Sequence, residues 1–350
     1  MIITQTSPKT NDSAVILCGD KKVVDFARFI FWQIAQHEPE RNYDLVFCTP
    51  DAGLELNHPK LPDIRVCQIN TEFLSGMPIK ANIPIANHIK ASLPVLFQND
   101  YKKIIYLDTD MFIRRGQISD LFTLAKDGTP ISAVLDVMQW RPVIAPVFIA
   151  GFQKLGLENT KYFNAGFLVF DVKAYCQENI LEGVMKYADD NQQDFQFTDQ
   201  DALNGYLKGN WAPLPLQWNW QTNPFAARFI ERFDPNILHF IGANKPYLHN
   251  TPQHTQKYLK EYETFFTQIL GKEPVRLKWN TSQPKGTAGQ DGKMSKLMGK
   301  FNSYYLSAQI KKLLLGDKSG RYLSKIDRAI GSGNKLWPPS ALLSGEKDTP

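Results

Sequence analysis

A chain of 350 residues with 43% hydrophobic and 12% aromatic content can bury a sizeable core, as one large domain or about two. Its four cysteines, Cys18, Cys48, Cys67 and Cys176, stand far apart with no Cys-x-x-Cys pair, which excludes a zinc ribbon or a dense disulfide framework and fits a reducing compartment. The net charge of +5 is uneven: residues 271–350 hold 15 Lys/Arg against 6 Asp/Glu, whereas the preceding 270 are net negative.

The N-terminal stretch is polar up to Ala14 and has no charged start followed by a long apolar run, so no leader is expected. No segment elsewhere approaches the roughly 18 apolar residues of a membrane-spanning helix. AVILCG (14–19) predicts a short buried strand, DFARFIFWQIAQHE (25–38) has apolar residues at helical spacing, and YDLVFCTP (43–50) predicts a second strand. KIIYLDTD (103–110), ISAVLD (131–136) and FLVFDV (167–172) predict further strands, with a helix over NILEGVMKYADD (179–190). This alternation predicts an open α/β sheet with helices on both faces and a ligand site at the carboxyl ends of its strands. Beyond residue 270 the character changes. NTSQPKGTAGQDGKMSK (280–296) reads as a linker or disordered loop. In FNSYYLSAQIKKLLLG (301–316), Leu306, Ile310, Leu313 and Leu314 would share one helical face.

Asp108 and Asp110 end an apolar strand, where two like charges cost desolvation and repel each other. Carboxylates are hard ligands for Mg²⁺ or Mn²⁺, and a cation would cancel that repulsion and bridge to a phosphate. Alone, the doublet also reads as a helix cap or a solvated turn. YFNAGFLVFDV (162–172) sets Asn164, Ala165 and Gly166 just before an apolar strand, where small residues admit a ligand close to the backbone. FTDQDALNGYL (197–207) presents Asp199, Gln200 and Asp201 ahead of a helical pattern, a place where acidic residues also suit the helix dipole. ILHFIGANKPYL (237–248) puts His239 after a short strand, then Gly242 to admit a phosphate and Lys245 to neutralise it.

The ordered succession YLDTD, YFNAGFLVF, DQDALNGYL, LPLQWNW and HFIGANKPY, within residues 14–265, resembles family 8 of the glycosyltransferases. These are retaining A-type enzymes that include glycogenin and bacterial lipopolysaccharide galactosyl- and glucosyltransferases. The resemblance implies an A-type glycosyltransferase fold, a Rossmann-like mixed sheet with helices on both faces, forming one nucleotide-sugar-binding domain over residues 1–270. It implies a UDP-sugar donor carrying glucose or galactose, Mn²⁺ or Mg²⁺ as cofactor, and a glycan or lipid-linked acceptor. Lipopolysaccharide or capsule synthesis is the implied setting. Asp108, Asp110 and His239 are the implied metal ligands, and Lys245 with the backbone around Gly242 would hold the phosphates. Asp199 would bind sugar hydroxyls, and Gln200 would face the anomeric carbon opposite the leaving phosphate. Asn164 and Asp136 would lie by the sugar and acceptor, with Asp201 nearby. An amide is a poor nucleophile, so the family implies front-face attack with retention, a donor phosphate oxygen taking the acceptor proton.

Two positions depart from the family. Where an Asp is commonly followed by Asn-Tyr, the chain reads Cys18-Gly19-Asp20-Lys21-Lys22-Val23, keeping the donor-side Asp20 and leaving the nucleotide preference open. Lys90 stands where the family has an Arg, retaining the charge without the planar fork; its other reading is a solvated helix face. Asp136 also reads as a strand-end turn residue. The basic 271–350 extension would lie on an anionic membrane surface or dock on its own domain, and no nucleic-acid-binding module accompanies it. A cytoplasmic location, peripheral on the inner face of the plasma membrane, is expected. An Asp-x-Asp metal-dependent phosphatase and a non-catalytic sugar-binding protein are the alternatives. The phosphatase class usually has its doublet on the first strand with Thr or Val two residues on, whereas Phe112 stands there.

Overall fold

The structure is a computed structural model and describes residues 2–72, 86–140, 146–223, 226–242, 245–248 and 253–274. The linker and basic helix expected beyond residue 270 lie outside the described residues. The strands are β1 (Ile2–Gln5), β2 (Ser13–Cys18), β3 (Asp44–Thr49), β4 (Arg65–Ile69), β5 (Lys103–Leu107), β6 (Met111–Ile113), β7 (Ile131–Leu135), β8 (Phe163–Asp171), β9 (Ala212–Pro213), β10 (Trp220–Gln221) and β11 (Ile237–His239). Among the described residues, eight of them form one mixed sheet in the order β1-β4-β3-β2-β5-β8-β7-β9, and β10-β11-β6 form a small second sheet.

β4, β3, β2 and β5 run parallel, and β8 joins β5 antiparallel. The apolar run of β2 is buried on both faces, as a central parallel strand requires. Val15 and Leu17 enter one core cluster and Ala14, Ile16 and Cys18 the other, because successive side chains of a strand point to opposite faces. The helix α1 (Val24–His37) covers the first face with Phe26, Phe29 and Ile30. The helix α2 (Ala86–Leu96) covers the second with Ile89 and Leu93, beside the 180–191 helix. On the first face Phe29 stacks on Tyr262 with ring centroids 4.1 Å apart, and Phe26 stacks on Tyr247 at the same distance, tying later segments to α1.

Three differences from the sequence reading concern the site. The strand expected over 103–110 ends at Leu107; residues 108–110 turn, and the chain re-enters as β6. Asn164, Ala165 and Gly166 lie inside β8, not before it, because Phe163 already pairs with Leu135 of β7. Asp199, Gln200 and Asp201 occupy the first turn of the helix Thr198–Leu207.

Candidate active site

Two pairings build the central cluster. Asp108 leaves the carboxyl end of β5, anchored by its N–H donating to the Gly166 carbonyl at 2.8 Å. After the turn, β6 pairs antiparallel with β11, and His239 sits opposite Met111, next to Asp110. His239 Nε2 thereby lies 3.1 Å from Asp110 Oδ1 and 3.9 Å from Asp108 Oδ2. One ligand atom from each of Asp108, Asp110 and His239 falls within 4.8 Å of the others.

Two lysines balance the carboxylates. Lys245 Nζ is 2.8 Å from Asp110 Oδ2 and donates to the carbonyls of Phe240 and Gly242. Gly242, three residues before Lys245, takes a left-handed backbone conformation at φ +57°. Burial alone would raise the Asp110 carboxyl, but the Lys245 ammonium outweighs it and holds it well below the usual carboxylate range. Lys90, whose side chain is 4% exposed, bridges Asp108 at 3.4 Å and Asp199 at 2.9 Å and donates to the Ala165 carbonyl at 3.2 Å. It is therefore not on a solvated helix face. Burial would lower its pKa, but Asp108 and Asp199 raise it. Tyr106, in β5 two residues before Asp108, donates its hydroxyl to Asp108 Oδ1.

Three observations fit a divalent cation here. Asp110 Oδ1 is buried and accepts no hydrogen bond although His239 Nε2 is close. On its other side, His239 Nδ1 meets Asn219 Oδ1 at 3.1 Å, an acceptor that calls for a proton on Nδ1, so that a neutral imidazole presents its Nε2 lone pair to a cation beside that oxygen. Finally, a Cβ added at Gly166 would fall 2.3 Å from His239 Cε1 and 2.7 Å from Asp108 Oδ2, so the ligands fill the space a side chain would need. Two carboxylates and an imidazole suit Mn²⁺, and Mg²⁺ less well, since nitrogen favours the softer ion. Gly166→Ala is accordingly expected to weaken Mn²⁺ binding about tenfold or more, by displacing His239 and Asp108. Calorimetric Mn²⁺ titration beside a thermal unfolding curve checks this; unchanged affinity would contradict it.

A second cluster adjoins the first. Asn164 Nδ2 donates to Asp136 Oδ2 and to Gln200 Oε1, each at 3.2 Å, and Gln200 Nε2 donates to the same Asp136 oxygen at 3.2 Å. Gln200 Oε1 also accepts the Ala165 N–H at 3.0 Å. Asn219 joins the two clusters, donating to Asn164 Oδ1 and meeting His239 Nδ1, and Lys90 holds Asp108 to Asp199 beside Gln200, so Asp108, Asp110, His239, Lys245, Lys90, Asp199, Asp136, Asn164 and Gln200 are all brought together.

Asp201 and Asp20 are engaged differently. Asp201 is 2% exposed, takes the Tyr162 hydroxyl, and accepts the N–H groups of Gln196 and Phe197 at 2.6 Å each. It thus caps a helix whose N-cap, Phe197, has no side-chain acceptor. Burial raises its carboxyl despite these bonds. Asp20, in the turn after β2, accepts the Lys22 N–H at 2.9 Å. The sequence reading did not single out Tyr106 or Asn219. The period-2 relation to Asp108 pointed to the first; the second sits in the LPLQWNW segment without a distinguishing pattern of its own.

The family model of glycosyl transferase family 8 matches residues 15–251. General stress protein A of Bacillus subtilis (strain 168) is 27% identical over 234 residues, covering 62% of this chain and 74% of that protein. Glycosyltransferase GlyF of Streptococcus pneumoniae is 26% identical over 190 residues, 53% of this chain and 43% of that protein. The lipopolysaccharide 1,2-glucosyltransferase of Escherichia coli (strain K12) is 26% identical over 196 residues, 53% and 55% of the two chains. The chain thus spans about half the length of the latter two relatives. The structure of galactosyltransferase LgtC in complex with donor and acceptor sugar analogs is similar with a TM-score of 0.59 at 20% identity, covering 79% of this chain and 99% of that one. This likeness shows the A-type glycosyltransferase fold expected from the motifs. Both clusters lie within the matched residues, and the chain belongs to glycosyl transferase family 8.

Proposed function

We propose that this chain is a retaining hexosyltransferase, moving glucose or galactose from a UDP-sugar to a glycan or lipid-linked acceptor with Mn²⁺ (or Mg²⁺) assistance, in lipopolysaccharide or capsule synthesis. The observation that carries this reading is the meeting of Asp108, Asp110 and His239 with Lys245 at one sheet edge, an arrangement suited to a cation-bound diphosphate. The lipopolysaccharide glucosyltransferase of E. coli and the galactosyltransferase LgtC support a hexose as the transferred group. Membership of a glycosyltransferase family speaks against the phosphatase alternative.

Asp108, Asp110 and His239 would hold the cation, which when bound acts as a Lewis acid toward the departing diphosphate. Lys245 would turn from Asp110 to a phosphate oxygen and stabilise its developing charge, with the loop at Gly242 setting its approach. Asp199, fixed by Lys90, would accept hydrogen bonds from sugar hydroxyls, while Asn164 and Asp136 would border the sugar and acceptor. Gln200 is held by Asp136 and the Ala165 N–H with no carboxylate of its own to attack carbon. The acceptor hydroxyl oxygen then bonds to the anomeric carbon on the face from which UDP leaves; the carbon–phosphate oxygen bond breaks and the proton passes to the donor phosphate. Asp201 serves this site by holding the 196–197 backbone and Tyr162. Asp20 would meet the nucleoside end of the donor from the β2–α1 turn.

Residues 1–270 would form the catalytic unit. The 271–350 extension would rest on the anionic inner face of the plasma membrane; among the described residues no helix is long and apolar enough to cross a membrane. Incubation with UDP-, GDP- and CMP-sugars, with and without Mn²⁺, tests the proposal through nucleotide release. Metal-dependent release from one UDP-hexose is expected. No release from any donor with acceptor supplied would sink it and favour a non-catalytic sugar-binding protein.

A further inference from the structure

We infer that Asn219 is a positioning residue of the metal site: it fixes the tautomer of His239 and takes its own orientation, through Asn164, from the cluster around Asp136 and Gln200. The inference rests on the reading of Asp108, Asp110 and His239 as cation ligands.

A chain of donors and acceptors fixes each amide in turn. A backbone N–H can only donate, so the Gly166 N–H, 3.2 Å away, requires the neighbouring Asn164 atom to be Oδ1. The other end of Asn164 meets Asp136 Oδ2, which requires a donor there and agrees with the same orientation. Asn164 Oδ1 thus faces Asn219 at 3.1 Å, and Asn219 must present its Nδ2 to it. The remaining atom of Asn219, Oδ1, is then the one set 3.1 Å from His239 Nδ1. An acceptor at that distance requires a proton on Nδ1, and in the neutral imidazole, the form that ligates a cation, this leaves Nε2 as a lone pair directed toward Asp108 and Asp110.

Burial gives this arrangement its force. Asn219 is 1% exposed and His239 4% exposed, so bulk water does not satisfy either group if an amide turns over. Turning Asn219 would set two carbonyl oxygens against each other at Asn164 and a donor against a protonated Nδ1. The opposite imidazole tautomer would point an N–H where the cation is to bind. The asparagine therefore acts through His239, and the residues on the sugar side and those on the metal side belong to one polar network.

Two variants separate this role from packing. Asn219→Leu and Asn219→Asp both lose the N–H toward Asn164, and both are close to asparagine in size. Only the aspartate keeps an acceptor opposite Nδ1. Mn²⁺ affinity of the full chain, measured by calorimetry beside a thermal unfolding curve, is expected to fall about 10- to 100-fold in Asn219→Leu and to stay within a few-fold of the parent in Asn219→Asp. With ¹⁵N-histidine labelling and Mg²⁺ as the diamagnetic ion, the long-range proton–nitrogen spectrum of the parent protein should show His239 protonated at Nδ1. Equal Mn²⁺ affinity of parent and Asn219→Leu, equal loss in both variants, or a proton on Nε2 would overturn the inference while leaving the metal reading standing. Failure of the parent itself to bind Mn²⁺ would overturn both.

Discussion

Asp110→Ala is expected to lower metal-dependent sugar transfer by about a thousandfold or more and to abolish Mn²⁺ binding, without unfolding the protein. The carboxylate sits between Lys245 at 2.8 Å and His239 at 3.1 Å, and its buried Oδ1 accepts no hydrogen bond. Removing it leaves Asp108 and His239, two ligands where three met, and frees Lys245 from its carboxylate partner. Its backbone carbonyl still accepts the Phe240 N–H, so the β6–β11 junction survives the change. Stability is expected to fall by about 3 kcal/mol, the low end of the range for removing one partner of a buried pair, because Lys245 loses its carboxylate. Nucleotide release and a calorimetric Mn²⁺ titration, run on the variant alongside a melting curve, check all three statements. Transfer at the parent rate would show that the site works without this ligand.

Lys90→Met is expected to act on stability as well as on transfer. The ammonium lies between Asp108 and Asp199, over the Tyr106 ring at 5.0 Å, and is almost fully buried. Without it Asp108 and Asp199 face each other with no ammonium between them, a loss of the kind that costs about 3–5 kcal/mol for a buried pair in the metal-free protein. Asp108 and Asp199 are 28% and 18% exposed, so the lower end of that range is expected. The sign of the pH dependence follows from the raised Lys90 pKa. A lysine raised in the folded state stabilises fully below its ordinary unfolded value and loses that contribution as pH rises through the folded value. The stability gap between parent and variant should therefore stay flat from roughly pH 6 to 9 and close only in strongly alkaline solution. Chemical denaturation at several pH values measures it; a gap that shrinks near neutrality would contradict the assignment. Lys90→Arg, which keeps the charge, should recover much of the loss.

Much of the fold was legible in local patterns. AVILCG and KIIYL gave β2 and β5 because a central parallel strand is apolar on both faces, and the 25–38 periodicity gave α1 to within a residue. β1 and β4 were not read, since four- and five-residue segments with polar members carry little periodic signal. The break after Leu107 was hidden for a different reason. Met111, Phe112 and Ile113 continue the apolar run, and what ends β5 is pairing of β6 with a strand more than 120 residues later.

The metal ligands and Lys245 were legible as residue types at motif positions; their meeting was not, because it depends on β11 folding back on β6. Lys90 illustrates how tertiary structure overrides a local reading. Its helix pattern allowed a solvated face, and only the arrival of Asp199 from the 198–207 helix gives a buried ammonium its second partner. Asn219 and the backbone N–H groups of Ala165 and Gly166 could not be read at all, since their contribution is an orientation of donors and acceptors rather than a residue type.

The most direct test of the central claim is diffraction from crystals grown with Mn²⁺ and UDP, with an anomalous difference map recorded above and below the manganese edge. A single edge-dependent peak within about 2.5 Å of Asp108, Asp110 and His239 Nε2, with Lys245 on the diphosphate side, is the expected result. A peak held by other residues, or UDP ordered at this sheet edge with no metal beside those three, would contradict it.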